Sequence, residues 1–265
     1  MPQLDLFFSY SSITITAVLF ILIVLNKEIA FRIGRFVQNR SDTEIKSLTA
    51  SVQASVLGLL ALLLGFTFTM AMQRYDNRSQ ALIDEVNSIG TAVFRVQLLP
   101  AKYKNEAAEL FKKYIDLRIA IGKIDLTKQD ERKKYNKQIS DIQIDLWNLA
   151  VLATRDDPRP VTTGAFVTSL NGVIDSQGKR NGFLQMHVPE IVLLLLFIVF
   201  ISTGGIIGYS TGLSGKRVLI PTLLVSFLMA LIVFIIIDLD RPKRGLIQVD
   251  QGIMLELRER INHDS

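Results

Sequence analysis

Along residues 51–87, small and polar side chains recur at helical spacing: Ser51, Ser55, Gly58, Leu62, Gly65, Thr69, Gln73, Asp76, Gln80, Asp84 and Asn87. At about 100° per residue they all fall within an arc of about 100°. Leu62 and the glycines apart, each side chain on this face can hydrogen-bond water or an ion. Two kinds of chemistry use such a stripe. Small residues let membrane helices approach, and Ser and Thr hydroxyls can bond across the contact. Alternatively, copies of the helix around an axis build a pore wall from Ser51 to Gln73, with Leu62 as an apolar constriction. Asp76 and Asp84 then form rings of carboxylates at one mouth. Both readings stay open on these residues alone.

A second concentration of charge lies in "FIIIDLDRPKRG", Phe234 to Gly245, where an apolar run ends directly in Asp238, Asp240 and Arg241. Charges at such an edge are costly unless they face water or one another. Simple counting of crossings brings "QRYDNR" to the same level. Arg74 and Arg78 are natural partners for Asp238 and Asp240, and Arg241 for Asp76, which makes an interhelix charge cluster.

No catalytic pattern accompanies these groups. His187 and His263 are the only histidines and neither has an E-x-x-H partner. There is no G-x-S-x-G, no Gly-rich phosphate loop, and no pair of intramembrane acids. Cysteine is absent, which removes disulfides and thiolate metal sites. The expectation is a protein that is not an enzyme, with no catalytic residue, metal site or cofactor.

The elements that position the stripe follow from hydropathy. Four windows carry no charge: Phe7 to Asn26, Ser47 to Gln73, Ile191 to Gly215 and Val218 to Ile237. Each reaches the roughly 20 residues a helix needs to cross a bilayer. The first window lacks a basic n-region and a small-x-small cleavage site, and reads as a retained helix rather than a signal peptide. The last two form a tight hairpin turning at "STGLSGKR", Ser210 to Arg217, with Pro221 tolerable near the start of the fourth helix. Ser202, Thr203, Gly204 and Gly205 read as a packing or kinking site.

Between the second and third spans lies a long polar region that is helical in pattern. Leu82, Val86, Ile89, Val93 and Val96 continue the second span as a heptad-like seam until Pro100. A helix follows with Ala107, Phe111, Tyr114, Arg118 and Ile121 on one face, stopping at Gly122. The next opens at Thr127, whose hydroxyl can cap it with Asp130 in the capping-box position, and runs along Tyr135, Ile139, Ile142, Leu146, Leu149 and Ala153 to Asp157-Pro158. A last helix carries Phe166, Leu170 and Val173, and "SQGKRNG" leads on to Pro189. The predicted fold is all-α: four transmembrane helices with a helical extramembrane bundle between the second and third. The boundaries are 1–73 for the first helix pair, 74–188 for the bundle, 189–237 for the second hairpin and 238–265 for a C-terminal tail.

The 265-residue chain is 49% hydrophobic with mean hydropathy +0.33, net charge +5 and pI near 9.4. In a membrane protein that excess of base meets anionic lipid, and without a basic stripe interleaved with aromatics it excludes nucleic acid as a partner. Lys27, Arg32, Arg35, Arg40 and Lys46 favour a cytoplasmic first connection. Arg241, Lys243, Arg244, Arg258 and Arg260 load the opposite side.

"GLLALLLGFTFTMAMQRYDNRSQALIDEVNSIGTAVFRVQLLP", "LNGVIDSQGKR", Pro189 and "DLDRPKRG", in that order, resemble the bestrophin-like family of bacterial membrane proteins. The resemblance covers most of Gly58 to Gly245. It implies kinship with bestrophins, pentameric ion channels with four membrane helices per subunit and a helical cytosolic region. No bestrophin pore motif matches residue by residue, and no site residue is carried over.

The function expected is a homo-oligomeric ion channel of the bacterial inner membrane, lined by the second helix, with inorganic ions and membrane lipids as partners. Arg74 and Arg78 point about 160° and 200° away from Asp76, which leaves the acids on the axis and leans selectivity to monovalent cations. The alternative is a non-conducting membrane scaffold or sensor whose helical bundle binds a partner.

Overall fold

The computed structural model describes residues 10–126, 128–215, 217, 219–243 and 245–263. Among the described residues the chain is all-helical, without strands. In order the helices are α1 (Ser12–Val37), α2 (Thr43–Arg95), α3 (Ala101–Lys123), α4 (Gln129–Asp156), α5 (Ala165–Gln185), α6 (Glu190–Leu213), α7 (Leu219–Asp240) and α8 (Gly252–His263). Helices α1, α2, α6 and α7 hold the four candidate membrane spans, each long and apolar enough to cross a bilayer. Phe7 to Ser9 of the first expected span, and Val218 of the fourth, lie outside the described residues.

The chain divides into two compact units, Met1–Arg74 with His187–Ile247, and Tyr75–Met186 with Gln248–Ser265. In the first unit, α1 opens at Ser11, whose Oγ accepts the Thr14 backbone N–H at 3.1 Å. Its inner face meets α6 closely because glycine lies on both sides of the contact. Gly204, Gly208 and Gly212, one turn apart, sit against Ile23, the Lys27 carbonyl and the Phe31 carbonyl, while Gly34 of α1 sits against the Tyr209 carbonyl. A methyl group at any of these positions would collide with the facing helix. Asn26 Nδ2 donates to the Ile201 carbonyl at 2.7 Å across the same contact. Thr203, Gly204 and Gly205 therefore belong to a packing surface, while Ser202 is exposed, and α6 runs unbroken through all four. The hairpin turn is shorter than the sequence suggests: α6 includes Ser210 to Leu213, and Gly215 supplies the left-handed residue at φ 69°.

In the second unit, every expected seam faces one core. Leu82, Val86, Ile89 and Val96 from α2 and its end meet Phe111, Tyr114 and Ile121 of α3. Ile139, Leu146, Leu149 and Ala153 of α4 join Phe166, Leu170 and Val173 of α5, and Val93, Tyr135 and Ile142 border them half-buried. Phe111 and Phe166 meet edge to face, with centroids 6.4 Å apart. Each such large apolar side chain contributes about 1.5–3 kcal/mol by leaving water. The second helix becomes a 3-10 turn at Val96–Leu98 and α3 restarts after Pro100, as the proline requires.

Two stretches depart from the sequence reading. "SQGKRNG" is not a connection: α5 passes through Gly178 and Gly182 to Gln185, because Ser176 and Arg180 are buried on its inner face. The residues 238–265 are more than a tail. Asp238 to Asp240 complete α7, and α8 places Met254 and Leu257 in the core of the second unit. Helix α4 begins at Gln129; Thr127, its expected cap, lies outside the described residues, as does Arg244.

Candidate functional site

Helix α2 runs without a break through 53 residues, which at 1.5 Å per residue is ~80 Å. It carries the polar stripe on one face from Ser51 to Asn87. Ser51, Ser55, Gly58, Leu62, Gly65, Thr69, Gln73, Asp76, Gln80 and Asn87 are all exposed on the protomer, and Asp84 is half-buried. The residues of this span that the protomer does bury are Leu60, Thr67 and Ala71. At about 100° per residue these lie 180–220° around the helix from Asp76. The stripe lies opposite that buried strip, on a span open around most of its circumference, since Val52, Leu59, Phe66, Phe68 and Met72 are exposed too, and a Cβ added at Gly58 or Gly65 would meet nothing within 4 Å.

The hydroxyls on the stripe are already satisfied as donors. Ser51, Ser55 and Thr69 donate to the carbonyls of Ser47, Ser51 and Gly65 at 3.1, 3.0 and 2.8 Å. That back-bonding leaves oxygen lone pairs, not protons, on the open face of the stripe. Beyond it, the acids differ. Asp76 is exposed, whereas Asp84 takes Lys179 Nζ at 2.8 Å and Gln80 Nε2 at 2.9 Å.

The charge cluster makes several backbone contacts. Asp238, 1% exposed, accepts the Ile247 N–H at 2.8 Å, and Gly245 sits against its carboxylate. Asp240 accepts the Val188 N–H at 2.9 Å, with His187 Nδ1 3.4 Å from its other oxygen. The two acids thereby pin the chain that leaves α7 and the chain that enters α6. Arg241 donates to the Tyr10 carbonyl, and Arg78 donates to the carbonyls of Phe183 and Met186 at 3.2 and 2.7 Å.

Other functional groups were not singled out from sequence. Glu85, fully buried, holds Arg118 Nε at 2.5 Å and Arg180 Nη1 at 2.5 Å, and Arg180 reaches Gln251 at 2.6 Å. The signal was present: Arg118 stands in an otherwise apolar seam, and Glu85 lies about 180° from Asp76, on the packed side. A buried guanidinium on one helix calls for a buried acid on another. Glu28, which bridges Arg32 at 3.0 Å and Arg217 at 2.6 Å, ties the end of α1 to the hairpin turn.

This architecture has counterparts. It is similar to a bacterial bestrophin homologue from Klebsiella pneumoniae. A tyrosine-to-alanine variant of that protein matches at 13% identity and TM-score 0.70, over 93% of this chain and 97% of the other. A tryptophan-to-alanine variant matches at 13% identity and TM-score 0.70, over 96% and 98%. A structure described only as a membrane protein, in a proline-to-alanine variant, matches at 14% identity and TM-score 0.67, over 94% and 97%. No curated protein matches the sequence. The sequence model of the bestrophin-like domain matches residues 19–253. Bestrophins are a family of ion channels and not of enzymes. With nearly the whole chain inside that match, this protein belongs to the bestrophin-like family.

Proposed function

We propose that the chain assembles as a homo-oligomeric ion channel in the bacterial inner membrane, with the polar stripe of α2 as its pore wall. The observation that carries this reading is the exposure of that stripe from Ser51 to Gln73, opposite the face that each protomer buries. A hydroxyl- and glycine-lined face of this length is poorly suited to lipid and well suited to an aqueous axis. Membership of a channel family supports the same conclusion. Leu62, exposed on the stripe, is the apolar constriction.

In this reading residues 74–188 form an extramembrane bundle inserted in sequence between the second and third spans, and Asp76 forms an acidic ring at one mouth. That ring favours monovalent cations; Asp84 adds less, because Lys179 offsets its charge. Arg74 supplies countercharge to Asp238 and Asp240 at the membrane edge.

The test is single-channel recording from purified protein in planar bilayers, after its oligomeric state has been measured in detergent. A ring of identical subunits with a unitary current supports the proposal. A monomer, or a correctly assembled ring that passes no ion, overturns it in favour of a membrane scaffold or sensor.

A further inference from the structure

In the interior of the second unit one buried acid, Glu85, is shared by two buried arginines. Glu85 and Arg118 are 0% and 1% exposed and Arg180 is 4% exposed. One carboxylate thus serves two guanidinium groups, which leaves one positive charge in excess within this trio. A third arginine, Arg132, is half-buried nearby, donating to the Ile121 and Ile124 carbonyls at 3.2 and 3.1 Å. Burial holds Arg132 below the ordinary arginine range, and the charges of Arg118 and Arg180 push it the same way, while the nearby Asp125 carboxylate partly offsets them. An isolated buried charge costs several kcal/mol unless it is compensated.

The same place has donors to spare. Arg118 Nη1 is buried without a partner, and Gln143 Nε2 faces the Tyr114 oxygen, which leaves the phenol proton and the second amide N–H unmet. Tyr114 and Arg118 are one turn apart on α3, and Gln143 comes from α4. Gln143 stands close enough to Tyr114 to bear on its ionisation, and Arg118, Glu85 and Arg180 all act on the phenol, while burial pushes its pKa well up. The hydroxyl therefore keeps its proton and remains a donor. Guanidinium N–H, phenol O–H and amide N–H groups call for one kind of partner, an acceptor that also brings negative charge.

We propose that the second unit binds one small monovalent inorganic anion, of halide size, in its core, held by Arg118 with Tyr114 and Gln143 as further donors. Bound there, the anion neutralises the excess charge and ties α3 and α4 to the Glu85 network that also reaches α2, α5 and Gln251. The site is separate from the pore stripe, since Glu85 lies on the opposite face of α2 from Asp76. The inference therefore holds whether or not the protein conducts.

The experiment uses the full chain in detergent, with sodium chloride exchanged for sodium gluconate at constant ionic strength. Gluconate is too large for an enclosed site. The apparent melting temperature is expected to rise by about 5 °C in saturating chloride. Tyr114→Phe and Gln143→Leu each remove one donor without adding charge, and are expected to raise the chloride midpoint about tenfold. Crystals soaked in bromide should show an anomalous peak beside Arg118. Equal melting temperatures of the wild type in the two salts would overturn the proposal. So would a bromide map that is flat at Arg118, including one in which a water bridges the donors.

Discussion

Lys179 Nζ lies 2.8 Å from Oδ2 of Asp84, so the two acids on the α2 stripe carry different effective charge. The partner is half exposed and the pair is salt-screened, but it still offsets part of the Asp84 charge in the proposed pore. Asp76→Asn should therefore lower cation preference more than Asp84→Asn does. Lys179→Met, which uncovers Asp84, should raise it. Reversal potentials under a salt gradient measure all three, and an anion-selective wild type would sink the cation assignment.

The glycines of the stripe separate a pore wall from a packing surface. Gly58 and Gly65 have open space where a side chain would go, so leucine fits the protomer at either position. In a pore, Gly58→Leu and Gly65→Leu should leave the ring assembled and cut unitary conductance at least about tenfold by narrowing an aqueous path. If the stripe were instead a helix contact, the same changes would break assembly. Mass measurement in detergent beside bilayer recording distinguishes the two results.

Much of this molecule was legible in the chain because periodicity reports burial. Phe111, Tyr114, Leu146 and Phe166 could be placed inside from spacing alone, and all are fully buried. The stretches that misled were those where local propensity yields to packing. Gly178 and Gly182 suggest a break, yet the helix continues because Arg180 between them is held by Glu85, 95 residues away. Likewise "GIMLELRERI" is short and charged, and only the core reveals that Met254 and Leu257 have somewhere to go. The backbone N–H groups of Ile247 and Val188 that Asp238 and Asp240 accept could not be foreseen. Backbone donors leave no trace in residue identity.

The contact of α1 with α6 depends on glycine in the opposite sense from the stripe. Gly208 sits directly against the Lys27 carbonyl, and a backbone atom cannot move aside for a side chain. Gly208→Leu should force the helices apart and reduce the yield of folded, monodisperse protein severely. Gly58→Leu, on an open face, should not. Size-exclusion profiles of the two variants, expressed in parallel, provide the comparison. Equal profiles would argue that the α1–α6 contact is dispensable.

The buried network permits an ordering of substitutions that depends on charge and not on the number of bonds removed. Glu85→Gln deletes the acid that Arg118 and Arg180 share and leaves them facing each other, so the excess within this trio rises from one positive charge to two. Removing one partner of a buried pair costs about 3–5 kcal/mol, and this variant sits at the upper end because like charges remain. Arg180→Met removes one guanidinium, brings the charge to zero and adds apolar volume; it also leaves Gln251 without its 2.6 Å donor. Its cost should be roughly 1–3 kcal/mol, the penalty of an unmet polar group. Unfolding midpoints in denaturant, compared at fixed chloride, should therefore fall in the order wild type, Arg180→Met, Glu85→Gln. The reverse order would show that hydrogen bonds, and not the balance of buried charge, hold this core together.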